Sequence, residues 1–158
     1  MMQDGVVENA MWFSKSKPDA EPEVPFFAWI RGEHSVGITV FDQEHERLTD
    51  LMSQIHAALH KKHDRILILG RLEFLIKETK AHFEHEEGVM RNISYPDLEA
   101  HVAEHAALLR EAAALFQKVQ SGNLSATAIP EFLKAWLITH MQTTDRKYAA
   151  SMRRHGVR

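Results

Sequence analysis

The chain has 158 residues, a net charge of −3, eleven histidines and no cysteine. That length suits one domain with a single sizeable core. Missing cysteine excludes disulfides, iron–sulfur clusters and thiolate ligands, and the mixed charge lacks the basic stripe that nucleic acid requires. No apolar run approaches the roughly 20 residues of a membrane span, and the N-terminus lacks the apolar stretch of a secretory signal. The expectation is a cytoplasmic protein with no membrane insertion.

Residues 1–24 read as a mobile N-terminal arm. Ser14 to Glu23 is polar, charged and proline-rich, a composition that cannot bury enough apolar surface to order itself. Met11, Trp12 and Phe13 form a small apolar cluster before it. A tail or tag remnant is the simpler reading, a docking segment the sharper one.

Residues 25–158 read as an all-α bundle. The first helix starts near Thr39, where Asp42 three residues on resembles a capping box. Phe41, Leu48, Leu51, Met52, Ile55 and Leu59 follow at helical spacing up to about His63. Asp64 caps the second helix, whose apolar positions are Ile66, Leu69, Leu72, Ile76, Phe83 and Met90. Gly70 inside it costs about 1 kcal/mol against alanine and suggests close packing. Asn92 to Asp97 is a turn. The third helix runs from about Leu98 to Gln120 and stops at Ser121-Gly122-Asn123. The fourth starts near Thr127, tolerates Pro130 in its first turn, and carries Phe132, Leu133, Trp136, Leu137, Met141 and Tyr148. Three short links favour antiparallel up-down-up-down packing.

The chemistry lies in the histidines. His82 and Glu86 are four residues apart, as are His101 and His105, so each pair shares one helix face. His45 sits between Phe41 and Leu48, and His140 follows Trp136 and Leu137, with Asp145 beyond it. The register of these groups matches that of the core, so they point inward. Five imidazoles and two carboxylates buried without a partner carry a heavy penalty. Bound metal removes it, and these spacings suit a pair of metal ions.

The same residues carry a family resemblance. His82-Phe83-Glu84-His85-Glu86-Glu87-Gly88-Val89-Met90 resembles the HFxxEExxM motif of the bacterial hemerythrin family. His101 to His105 matches its HxxxH. Trp136 to Asp145 matches its WLxxHxxxxD, and Phe41 to His45 is similar to its DxxH. Trp29 and Ser35-Val36-Gly37-Ile38 look like its opening tryptophan and VG turn. The resemblance spans about Trp29 to Tyr148.

What it implies is a non-haem diiron centre in a four-helix bundle. His101, His105 and His140 would hold one iron, and His45 and His82 the other. Glu86, Asp145 and a solvent-derived oxo or hydroxo group would bridge them. The first iron then has six ligands and the second five, which leaves an open position for O2. NO and other small molecules are alternative ligands. Leu48, Phe83, Trp136, Leu137 and Met141 match the family's apolar pocket. Two departures stand out: Glu44 replaces a usual glutamine before His45, and Met141 replaces a common isoleucine. Imidazoles outnumber carboxylates, unlike the Glu-rich ferritin-like sites, which favours reversible O2 binding over cleavage. The expected function is O2 storage, delivery or sensing without enzymatic turnover. The alternative is a diiron enzyme: an oxidase, a peroxidase-like or nitric-oxide-handling protein, or a ferroxidase. A sensor module read out by shape change is a third. His85 reads as a flanking residue, and His34 and His155 as surface residues. His56, His60 and His63 lie near the end of the first helix, and His56 is roughly 16 Å along the axis from His45, too far to share its centre.

Overall fold

The computed structural model describes residues 26–61, 64–124 and 128–158. The arm expected over residues 1–24, His63, and the helix start near Thr127 lie outside the described residues. A short α1 (Arg31–His34) leads into three long helices, α2 (Thr39–His60), α3 (Arg65–Asn92) and α4 (Leu98–Ser121). The fourth long element is composite. It runs through α5 (Ala128–Leu133), a π-helical turn (Lys134–Ile138), a second π turn (Met141–Asp145) and α6 (Arg146–Arg154). Leu133, Thr139, His140 and Arg146 all keep right-handed helical backbone, so the element is unbroken. α2 packs on α3, α3 on α4, and α5 returns to α2, closing an antiparallel up-down-up-down four-helix bundle. No described helix is long and apolar enough to cross a membrane.

Local chemistry sets the ends of these elements. Asp64 caps α3 through a 2.9 Å bond from the Leu67 N–H, worth about 1 kcal/mol. Gly122 ends α4 with φ +78°, the left-handed conformation that glycine adopts without strain. The expected capping box at Thr39 does not form, because the N-cap is Ile38 and has no side-chain bond. Asp42 instead reaches back, accepting from the Val36 N–H at 2.8 Å and from the Ser35 hydroxyl at 2.6 Å. Its carboxylate pins the turn before α2 rather than the helix start. His34 is buried rather than at the surface, and its Nδ1 accepts the Ile30 N–H at 2.9 Å. Ile66 is 82% exposed and takes no part in the core.

The core falls into two apolar clusters. One gathers Leu48, Met52, Ile55, Leu72, Leu75, Leu133, Trp136, Leu137 and Met141. The other gathers Val36, Ile38, Phe41, Met90, Tyr148, Ala149 and Met152. Along α2, His45 lies between Phe41 of the second cluster and Leu48 of the first. Buried polar side chains thus occupy a layer between two apolar ones, where water cannot compensate them.

Gly70 does not mark close packing. A Cβ there would meet nothing within 4 Å, and its φ is ordinary. Gly70→Ala is therefore expected to stabilise the chain by about 1 kcal/mol through helix propensity alone. That raises Tm by roughly 2–4 °C for a chain of this size. A lower Tm in thermal melts would show a contact at this face that the helix needs.

Candidate metal centre

Seven side chains from all four long elements meet in the polar layer. His45 comes from α2, His82 and Glu86 from α3, and His101 and His105 from α4. His140 lies between the two π turns, and Asp145 closes the second. None exceeds 4% exposure. They form two groups of ligand atoms, each within 4.8 Å: Glu86, His101, His105, His140 and Asp145 in one, and His45, His82, Glu86 and Asp145 in the other. Glu86 and Asp145 belong to both.

The π turn explains how His140 and Asp145 share a face. Five residues of α-helix rotate by about 500°, leaving the two side chains about 140° apart. Bonding from i to i+5 widens the turn and brings the fifth residue back over the first. Asp145 Oδ1 consequently lies 3.0 Å from His140 Nε2.

The imidazole nitrogens converge on the two carboxylates. Glu86 has His101 Nε2 and His105 Nε2 at 3.4 Å from one oxygen, and His82 Nε2 at 3.5 Å from the other. Asp145 has His45 Nε2 at 3.4 Å and His101 Nε2 at 3.6 Å. His105 Nε2 and His140 Nε2 are 3.0 Å apart. Several contacts are not aligned as hydrogen bonds. Both Asp145 oxygens, both ring nitrogens of His45 and Nε2 of His82 are buried without a hydrogen-bond partner. Buried polar atoms are normally satisfied, so this cluster of orphaned N and O donors fits a metal centre. Imidazole and carboxylate together suit first-row metals such as iron.

An outer ring of carboxylates, which the motifs alone did not reveal, orients the histidines. Glu44 accepts from His82 Nδ1 and from the exposed His85 Nδ1, both at 2.7 Å. Glu87 meets His105 Nδ1 at 2.9 Å. Glu104 meets His140 Nδ1 at 2.8 Å and accepts the Thr144 hydroxyl at 2.8 Å. Each bond fixes its ring with Nε2 facing the centre, the usual support for a metal-bound histidine. Tyr148, expected only as a core residue, donates its hydroxyl to Glu86 Oε1. Glu44 is thus an anion that serves two histidines.

Charge balance in the metal-free chain follows this geometry. Burial works to lower the His140 pKa, but the adjacent Asp145 carboxylate and the bond to Glu104 prevail and hold it at about 9. Burial likewise opposes protonation of His82, and the charge of Glu86 with the Glu44 bond raises its pKa. Burial would push the Glu86 carboxyl up, yet His82 and the His101 and His105 bonds hold it well below its ordinary value. Burial and the Glu86 charge keep the Tyr148 hydroxyl protonated, far above its ordinary range. Protons on histidine thus take the place that metal cations would fill.

The apolar residues named from the sequence for the pocket are all buried. Leu48, Trp136, Leu137 and Met141 are buried in the larger cluster. Phe83 stacks flat on His105, with ring centroids 3.6 Å apart at 4°, and lies 5.8 Å from His82. Trp136 is anchored by its indole N–H, 2.9 Å from the Leu108 carbonyl. His56 and His60 lie outside the layer and touch each other.

The family model described as "Hemerythrin HHE cation binding domain" matches residues 36–151. The bacteriohemerythrin of Stenotrophomonas maltophilia (strain R551-3) is 26% identical over 121 residues, covering 77% of this chain and 78% of that protein. The bacteriohemerythrin of Methylococcus capsulatus (strain ATCC 33009 / NCIMB 11132 / Bath) is 28% identical over 121 residues, covering 76% and 92%. A crystal structure of wild-type hemerythrin superposes with a TM-score of 0.72 at 27% identity, covering 78% of this chain and 95% of that one.

Proposed function

The chain belongs to the hemerythrin HHE cation-binding family, and from that premise we propose that it holds two iron ions and binds O2 reversibly. The observation that carries this reading is the sharing of Glu86 and Asp145 between two otherwise separate ligand groups. His101, His105 and His140 would hold one iron, His45 and His82 the other, and the two carboxylates would span both. When bound in its reduced form, the iron pair supplies electrons that O2 takes up on binding and returns on release.

The chain's own residues make the exchange reversible. Leu48, Phe83, Trp136, Leu137 and Met141 line the centre with apolar surface and exclude water. A dry wall would limit the access of water and protons to the site. Glu44, Glu87 and Glu104 hold three histidines in fixed orientation, so little reorganisation accompanies binding. The Tyr148 hydroxyl keeps one Glu86 oxygen hydrogen-bonded. We infer a carrier rather than an enzyme, with residues 25–158 as its domain.

The test is optical. Protein from iron-replete cells should contain two irons per chain. Its reduced form should gain a visible absorption band in air, lose it under argon, and repeat the cycle. A single irreversible change on first exposure, or oxygen consumption sustained by added reductant, replaces the carrier with an oxidase.

A further inference from the structure

His56 and His60 stand one turn apart at the end of α2, where the bundle surface faces solvent. Their Nε2 atoms lie 3.0 Å apart, close enough to share one proton or one ion. The same separation is found between His105 and His140 in the buried layer. The surface pair is independent of that layer, being roughly 16 Å along the axis from His45.

The pair is held in place. Phe26 stacks on His56 with ring centroids 4.3 Å apart at 18°. The two imidazoles meet edge to face at 4.3 Å and 60°. Neighbours four apart on a helix face one another, so one backbone supplies both nitrogens with no folding cost beyond α2 itself. Glu131 of α5 is near enough for its charge to act on His56. Burial, then the charge on His60, hold the His56 pKa below its ordinary value against that carboxylate. The neutral imidazole is the form that binds metal.

The spacing selects among ions. Two nitrogens 3.0 Å apart, each about 2.05 Å from one ion, subtend about 94°. A right angle suits tetragonal Cu2+ or Ni2+ better than tetrahedral Zn2+. Mg2+ and Ca2+ prefer oxygen ligands. We propose that His56 and His60 form a second, solvent-facing metal site that takes one Cu2+ or Ni2+ ion in a right-angled two-nitrogen grip, with water completing the coordination.

The test is a Cu2+ titration of the full chain as purified from iron-replete cells, followed by electron paramagnetic resonance and by iron analysis. One Cu2+ per chain with a two-nitrogen signature is expected, with no iron released. His60→Ala, a change at an exposed ring, should weaken Cu2+ binding by about tenfold or more and leave iron content and visible spectrum unchanged. His56→Ala should do the same. Ni2+ should compete with Cu2+ better than Zn2+ does. Equal Cu2+ affinity in wild type, both single variants and the double variant overturns the site, as does copper uptake matched by iron loss. Because the readout is copper on the surface histidines, it stands or fails separately from the diiron reading.

Discussion

Asp145→Ala is expected to strip the chain of most of its iron, because one side chain serves both ligand groups. Removing it takes a donor from each metal and leaves the His45 and His140 nitrogens facing an empty volume. Glu86→Ala should act alike, and should also leave the Tyr148 hydroxyl buried without its acceptor. His45→Ala touches one group only and should cost chiefly one iron. Glu104→Ala removes a support rather than a ligand, so its loss should stay within the roughly 10–100-fold range of such outer partners. Elemental analysis of the four variants ranks them directly. Near-complete iron in Asp145→Ala would refute a shared carboxylate.

Much of this arrangement was legible in the chain, for a physical reason. Helical periodicity reports which side chains face inward, and a polar residue in an apolar register stands out against it. His45 between Phe41 and Leu48, or His105 ahead of Leu108, could be singled out this way. The π turns were not legible. His140 and Asp145 are five apart, a spacing that an α-helix would splay, and nothing in Met141 to Asp145 announces the wider winding. Only the need to face one centre together hints at it.

Of the supporting carboxylates, Glu44 stood out in the sequence only as a departure from a usual glutamine, and Glu104 did not stand out at all. Glu44 and Glu104 are 31% and 41% exposed at their side chains, so neither shows its partner histidine in the sequence. Their function arises from contact across helices, which periodicity does not encode. Glu104 lies immediately before His105 yet serves His140 on another element. Asp42 is a related case, since its spacing from Thr39 fits a capping box while its oxygens bind backward to Ser35 and Val36. Gly70 shows the converse error: a glycine in a helix invites a packing explanation, and here open space surrounds it.

Removing the metal is expected to lower Tm strongly, and by more as pH rises. An ion that binds only the folded chain adds about 2.7 kcal/mol at a free concentration one hundred times Kd, or roughly 5–10 °C here. The metal-free chain has a partial substitute in its protonated histidines. His140 is raised from 6.5 to about 9 on folding, so its contribution is complete below pH 6.5 and fades as pH climbs through 9. The shift corresponds to roughly 3 kcal/mol. His82 moves in the same direction. Glu86 and Asp145 are lowered, so their contributions hold above their ordinary values of 4.5 and 3.8 and are lost in more acid solution. The metal-free chain should therefore be most stable between about pH 4.5 and 6.5. Iron binding has the opposite slope, because His82 and His140 must shed their protons to ligate. Between pH 6 and pH 9 the metal-free Tm should fall while the iron-loaded Tm holds or rises. Melting curves of both forms at the two pH values decide the matter. A gap that stays constant, or one that closes at pH 9, would mean that metal does not replace protons in this layer.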